Sequence, residues 1–168
     1  MKADELRALQ APIKEKYREN PEAARVVLKA EGRLGEGIAC RIETGKAIAE
    51  AGLHPSTGGD GSQLCSGDML LEALVACAGV TCKAVATALD IPVRDGTVTA
   101  SGIFDARGTL GVDKEAPVGL DAIELTFKLD ADATEEQLAS LHKLTERYCV
   151  VLQTIRGNVP VASSISLQ

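Results

Sequence analysis

The stretch "SGDMLLEALVACAGVTCKAVATAL", residues 66–89, constrains the fold of this chain more than any other. Apolar residues run around most of the circumference that a helix would present, the pattern of an element covered on several sides. Ser66 is placed to cap it, and Asp68 falls in the first turn, where the positive helix end favours an acid. The longest uncharged part, Ala73 to Cys82, is ten residues, short of the roughly 20 a bilayer requires. The sequence therefore predicts the central helix of a soluble core, with a sheet on one side and a second helix or subunit on the other.

The elements around it follow from periodicity. Leu6, Leu9, Ile13 and Tyr17 recur at helical spacing, which predicts an amphipathic helix over 4–18, ended where Pro21 disfavours helical geometry at Asn20. Residues 23–31 and 37–43 read as strands joined by the glycine-bearing "EGRLGEG", which puts Arg33 at the tip or shoulder of a hairpin. Residues 51–67 form a long Gly- and Ser-rich loop. Alternation over 93–105 and 120–130 predicts two strands with one buried face. Thr134 and Gln137 make a capping box for a helix with Leu138, Leu141, Leu144 and Tyr148 on one face, and Cys149 at its carboxyl end. A final strand is expected over Val159 to Leu167. Helices segregated from antiparallel strands indicate an α+β fold, divided into a helical extension, 1–20, and a single domain, 21–168.

Composition narrows the function. A net charge of -6 argues against nucleic acid or an anionic membrane surface as partner, and two Phe, two Tyr and no Trp supply few stacking platforms. The amino terminus, "MKADELRALQ", has no secretion-signal pattern, so a reducing cytoplasm is the expected compartment. Five cysteines at 40, 65, 77, 82 and 149 form no CxxC pair, which disfavours a zinc site or a disulfide framework and leaves individually acting thiols. His54 and His142 make no metal-ligand set, and Gly58 to Gly61 lacks the Lys-Ser/Thr of a phosphate loop. No bound metal or cofactor is expected.

Among the thiols, Cys77 lies in the apolar helix, where burial would raise its pKa and an opposing cation would be needed to lower it. The charged side chains near it on the helix are Glu72 and Lys83. Asp68, nine residues earlier, is about 13.5 Å away along a straight helix axis and on the opposite side, and Glu72 is about 140° round. An acid so far into an apolar helix is a candidate to support the site from behind. Cys82 is badly set for a disulfide with Cys77 and reads as packing, as does Cys40. Cys65, in the glycine-rich loop, is an exposed thiol that could oxidise adventitiously or substitute as a resolver.

Three segments together resemble the OsmC/Ohr family of thiol-dependent peroxidases: "EGRLGEG", "GDMLLEALVACAGVT" and "ERYCVVLQTIRGNVPV". The resemblance runs over residues 24–168 and implies an intertwined homodimer of OsmC-like α+β subunits with active sites near the dimer interface. It implies that Cys77 is the reactive cysteine, Cys149 the resolving cysteine and Arg33 the activating arginine. Many members carry Glu ten residues before the reactive cysteine, where this chain has Gly67; Asp68 is the nearer match. The implied reaction is reduction of an organic hydroperoxide through a Cys77 sulfenic acid and a Cys77–Cys149 disulfide, reset by an external dithiol, a protein or a small thiol. The alternative is a weakly catalytic or non-catalytic protein of the same fold binding a small apolar ligand at the dimer interface. A redox sensor would use the same cysteines, but no DNA-binding helix pattern accompanies them.

Overall fold

The computed structural model describes residues 2–20, 32–34, 39–44, 47–111 and 113–167. In chain order, helix α1 spans Ala3–Glu19, followed by strands β1 (Gly32–Leu34), β2 (Ala39–Thr44), β3 (Ala47–Gly52) and β4 (Leu64–Cys65). The central helix α2 runs from Ser66 to Ala88. Beyond it lie β5 (Val93–Phe104), the short α3 (Ala106–Thr109), β6 (Leu120–Ala131), α4 (Glu135–Tyr148) and α5 (Val150–Arg156). The α+β class expected from the sequence is the one observed.

Two sheets result. One has the order β1-β2-β3-β4, antiparallel except for the parallel β3/β4 pair, and the other is the antiparallel β5/β6 ribbon. Along the ribbon Val98, Ala100, Ile123, Leu125 and Phe127 are turned inward, since successive strand residues face opposite sides. α2 packs on β5, α4 and α5. It has the length and hydropathy to cross a membrane taken as a whole, but these contacts make it the core helix of the domain. Around it Cys82, Val85, Ala86, Ile91 and Leu141 form one buried cluster, and Leu74, Ala78, Cys149 and Leu152 a second. Phe127 touches both.

Several boundaries differ from expectation. β1 begins inside the stretch expected to turn, so Arg33 lies within a strand, opposite Arg41; the strand expected over 23–31 lies outside the described residues. The loop over 51–67 is shortened at both ends, because β3 continues to Gly52 and Cys65 pairs with it. The alanine-rich β3, AIAEAG, has weak intrinsic strand preference, which pairing with β2 overrides. Gly58 and Gly61 turn the loop at φ +101° and +80°, in the left-handed region that glycine enters without steric cost. Cys65, not Ser66, is the residue before the first turn of α2, and no side chain caps it. The capping box at Thr134 and Gln137 is present. The buried stripe of α4 is Leu141, Thr145 and Cys149, while Leu138 and Tyr148 are exposed; the helix rolls so that the cysteine, rather than the tyrosine, enters the core. Residues 159–167 form no strand, and Val161 and Ile165 are 88% and 100% exposed. No edge pairs with this segment among the described residues, so its backbone has no ladder to join.

Candidate active site at a pair of thiols

Cys77 and Cys149 are 72 positions apart in sequence and adjacent in space. Cys77 stands in the middle of α2, half-buried, and packs against the cluster of Leu74, Ala78, Cys149 and Leu152. Cys149 is wholly buried at the junction of α4 and α5. Its ψ of 105° is extended, so one helix ends and the next begins at this residue.

That junction decides the electrostatics. Residues opening a helix have N–H groups with no carbonyl four residues back to receive them. The N–H of Gln153 is the first in α5 to find a backbone carbonyl, that of Cys149 at 2.9 Å, which leaves those of Val150, Val151 and Leu152 for other acceptors. Burial acts to raise the pKa of Cys77 and is the largest single influence. The Val151 N–H, the Cys149 thiol, the Val150 N–H and the Thr81 hydroxyl all act the other way, and the net result lies below the usual thiol range. Cys149 moves oppositely: burial raises it, the Cys77 sulfur as a neighbouring anion raises it further, and the N–H groups of Leu152 and Val151 offset only part. Of the two sulfurs, Cys77 is therefore the one whose ionised form is favoured and Cys149 the one whose neutral form is. The expectation that only a cation could lower Cys77 is corrected here, because aligned backbone N–H donors also stabilise an anion.

The remaining residues singled out by sequence are distributed as follows. Arg33 lies in β1, and its side chain is outside the described residues, as is that of Cys40. Asp68 and Glu72 are exposed and share a surface groove of about 470 Å³ with Leu71, Val75, Ala76 and Ala100. α2 is continuous between Asp68 and Cys77, so no helix break carries the acid to the sulfur. Cys82 is buried in the other core cluster, where burial pushes its thiol up, consistent with packing. Cys65 is half-buried and lines a cleft of about 420 Å³ with His54, Leu70 and Phe104. His54 accepts the Ser56 N–H at 3.1 Å within its loop, and His142 stands on the exposed side of α4, 3.9 Å from Glu146.

Sequence reasoning missed Thr81 and the backbone donors. Thr81 is four residues beyond Cys77 and hence on the same helix face, a signal that was available. The donors depend on a helix break that nothing in "ERYCVVLQTIRG" announces, since it contains no proline and no glycine before Gly157.

Residues 59–164 match the family model described as OsmC-like protein. Among solved structures, an OsmC-like protein from Mycoplasma pneumoniae superposes with a TM-score of 0.66 at 17% identity, covering 79% of this chain and 89% of that one. An organic hydroperoxide resistance protein OsmC from Legionella pneumophila gives 0.64 at 17% identity, with 80% and 93% covered. An organic hydroperoxide resistance protein from Elizabethkingia anophelis gives 0.64 at 16% identity, with 80% and 92% covered. No curated protein matches the chain.

Proposed function

The chain belongs to the OsmC/Ohr family, and on that premise we propose that it is a thiol peroxidase that reduces organic hydroperoxides to alcohols in a reducing cytoplasm. The observation that carries the reading is the meeting of Cys77 and Cys149 in one cluster at the α4–α5 junction, and the surroundings there favour the ionised form of the first and the neutral form of the second. A thiolate is the nucleophile that peroxide cleavage needs, and a neighbouring neutral thiol is the group that can condense with the product.

In this reading the Cys77 thiolate attacks the terminal oxygen of ROOH. The O–O bond breaks, an S–O bond forms, and the alkoxide leaves and takes up a proton as ROH. Cys77 is then a sulfenic acid. The Cys149 thiol attacks its sulfur, releasing water and forming the Cys77–Cys149 disulfide. An external dithiol, on a protein or a small molecule, returns both thiols and is itself oxidised to a disulfide. Arg33 is proposed to hold the departing oxygen, which a guanidinium fork suits. Asp68 is proposed to orient Arg33 at the interface of a homodimer, with Glu72 supporting it from the same helix.

One equivalent of an alkyl hydroperoxide should remove two hydrogen atoms from the reduced protein, and peptide mapping should place the new bond between Cys77 and Cys149. Cys77→Ser should lose the bond. Unchanged mass, or a bond elsewhere, would contradict the reading. A second reading rests on the apolar part of the surface groove, Leu71, Val75, Ala76 and Ala100, which suits a protein of this fold that binds a small apolar ligand at the dimer interface with little catalysis. That reading predicts ligand-protected thermal stability and no disulfide in the same experiment.

A further inference from the structure

If α4 and α5 were one unbroken helix, the Val150 N–H would donate to the Glu146 carbonyl, four residues back. It would then be unavailable to Cys77. In the structure the Glu146 carbonyl instead accepts the side-chain Nε2 of Gln153 at 2.8 Å. The Glu146 carboxylate accepts Nη2 of Arg156 at 2.8 Å. Two side chains of α5 thus reach back over the break and engage both acceptors of a single α4 residue. Cys149 N–H, at the break itself, still closes the last turn of α4 on the Thr145 carbonyl at 3.0 Å.

We propose that Gln153 and Arg156, acting through Glu146, are positioning residues for the thiol pair: they hold the helix open at Cys149 and so keep the Val150 and Val151 N–H groups on the Cys77 sulfur. Gln153 is the substitute donor, because it satisfies the carbonyl that would otherwise recapture Val150. Arg156 is the tie that fixes the angle of the two helices. The Glu146 carboxyl, held below its usual range chiefly by the Arg156 hydrogen bond, stays ionised as the anchor, and His142 at 3.9 Å is the other titratable group that faces it. At Cys77 the side chains that act on the sulfur are Cys149 and Thr81. The assignment rests on the peroxidase reading for its biological meaning but on the helix break for its geometry.

The test is a site-resolved alkylation profile: iodoacetamide labelling of Cys77 against pH, read by peptide mass mapping, on the reduced full-length protein. In Gln153→Ala and Arg156→Ala the labelling midpoint of Cys77 should rise by about one pH unit, roughly a tenfold slower labelling at mildly acidic pH. Arg156→Lys should restore most of the wild-type profile. Thermal midpoints are measured alongside, and Gln153→Glu, which keeps the size but lacks the donor, replaces Gln153→Ala if that variant fails to fold. Unchanged Cys77 midpoints in folded variants would overturn the assignment. The same samples treated with one equivalent of hydroperoxide separate the two claims: a wild-type Cys77 that labels early but forms no disulfide defeats the peroxidase reading and leaves the positioning roles standing.

Discussion

Cys77 shows how hydrogen-bond donors can favour a thiolate in apolar surroundings where, among the described residues, no charged side chain acts on the sulfur. The sum of several donors outweighs a burial effect that is individually the largest, as expected where hydrogen bonds to a charged group contribute about 1.5–3 kcal/mol each. Among the described residues Thr81 is the one side-chain donor besides the resolving thiol, and Thr81→Val keeps the shape while removing its hydroxyl. Its labelling midpoint at Cys77 should rise, with roughly threefold slower reaction at mildly acidic pH; an unchanged profile would assign the effect to the backbone alone. The same displacement bears on stability. A thiol whose folded pKa lies below its unfolded value stabilises the fold above the unfolded pKa, and that contribution is lost as pH falls through the folded pKa. Identity of the two sulfurs was legible in the sequence only through family resemblance, since residue 77 alone looks like any core cysteine. What lowers it was not legible, because backbone donors leave no letter in the sequence.

Among the elements, the strongest periodicities in the sequence correspond to what forms. α2, the β5/β6 ribbon and the capping box at Thr134 all follow from local pattern and cap chemistry. The α4–α5 region departs from its sequence periodicity for a specific reason. Of the apolar stripe Leu138, Leu141, Leu144 and Tyr148, Leu141 is buried and Leu144 packs against the core, while Thr145 and Cys149 are buried where Leu138 and Tyr148 are exposed. A helix that continued past Tyr148 would keep Val150 bonded to Glu146. Stopping at Cys149 turns the sulfur into the core and frees the donors, with Gln153 and Arg156 covering the acceptors left behind. Among the described residues the Thr145 hydroxyl has no well-formed hydrogen bond, but it lies close enough to the Cys82 thiol to offset part of the burial effect there. Short, alanine-rich β3 and two-residue β4 were missed because their structure comes from pairing rather than preference.

For the whole molecule, the proposed homodimer would cover apolar residues that one copy leaves exposed. Val161, Ile165 and Leu167 are 88%, 100% and 101% exposed in an extended carboxyl-terminal segment, and Val80 stands 73% exposed on the core helix. Scattered apolar residues are ordinary on a surface, whereas a run of them is a candidate for the interface of the proposed homodimer. Light scattering should give a dimer for the wild type and a smaller species for Val161→Asp combined with Ile165→Asp; a monomeric wild type would remove the interface at which Arg33 and Asp68 are proposed to meet. The chemistry turns on which sulfur meets the peroxide first. In Cys149→Ser, one equivalent of alkyl hydroperoxide should leave a sulfenic acid that dimedone traps on Cys77, as found by peptide mass mapping. Dimedone on Cys65 or another cysteine, or no adduct at all while the peroxide is consumed, would contradict it.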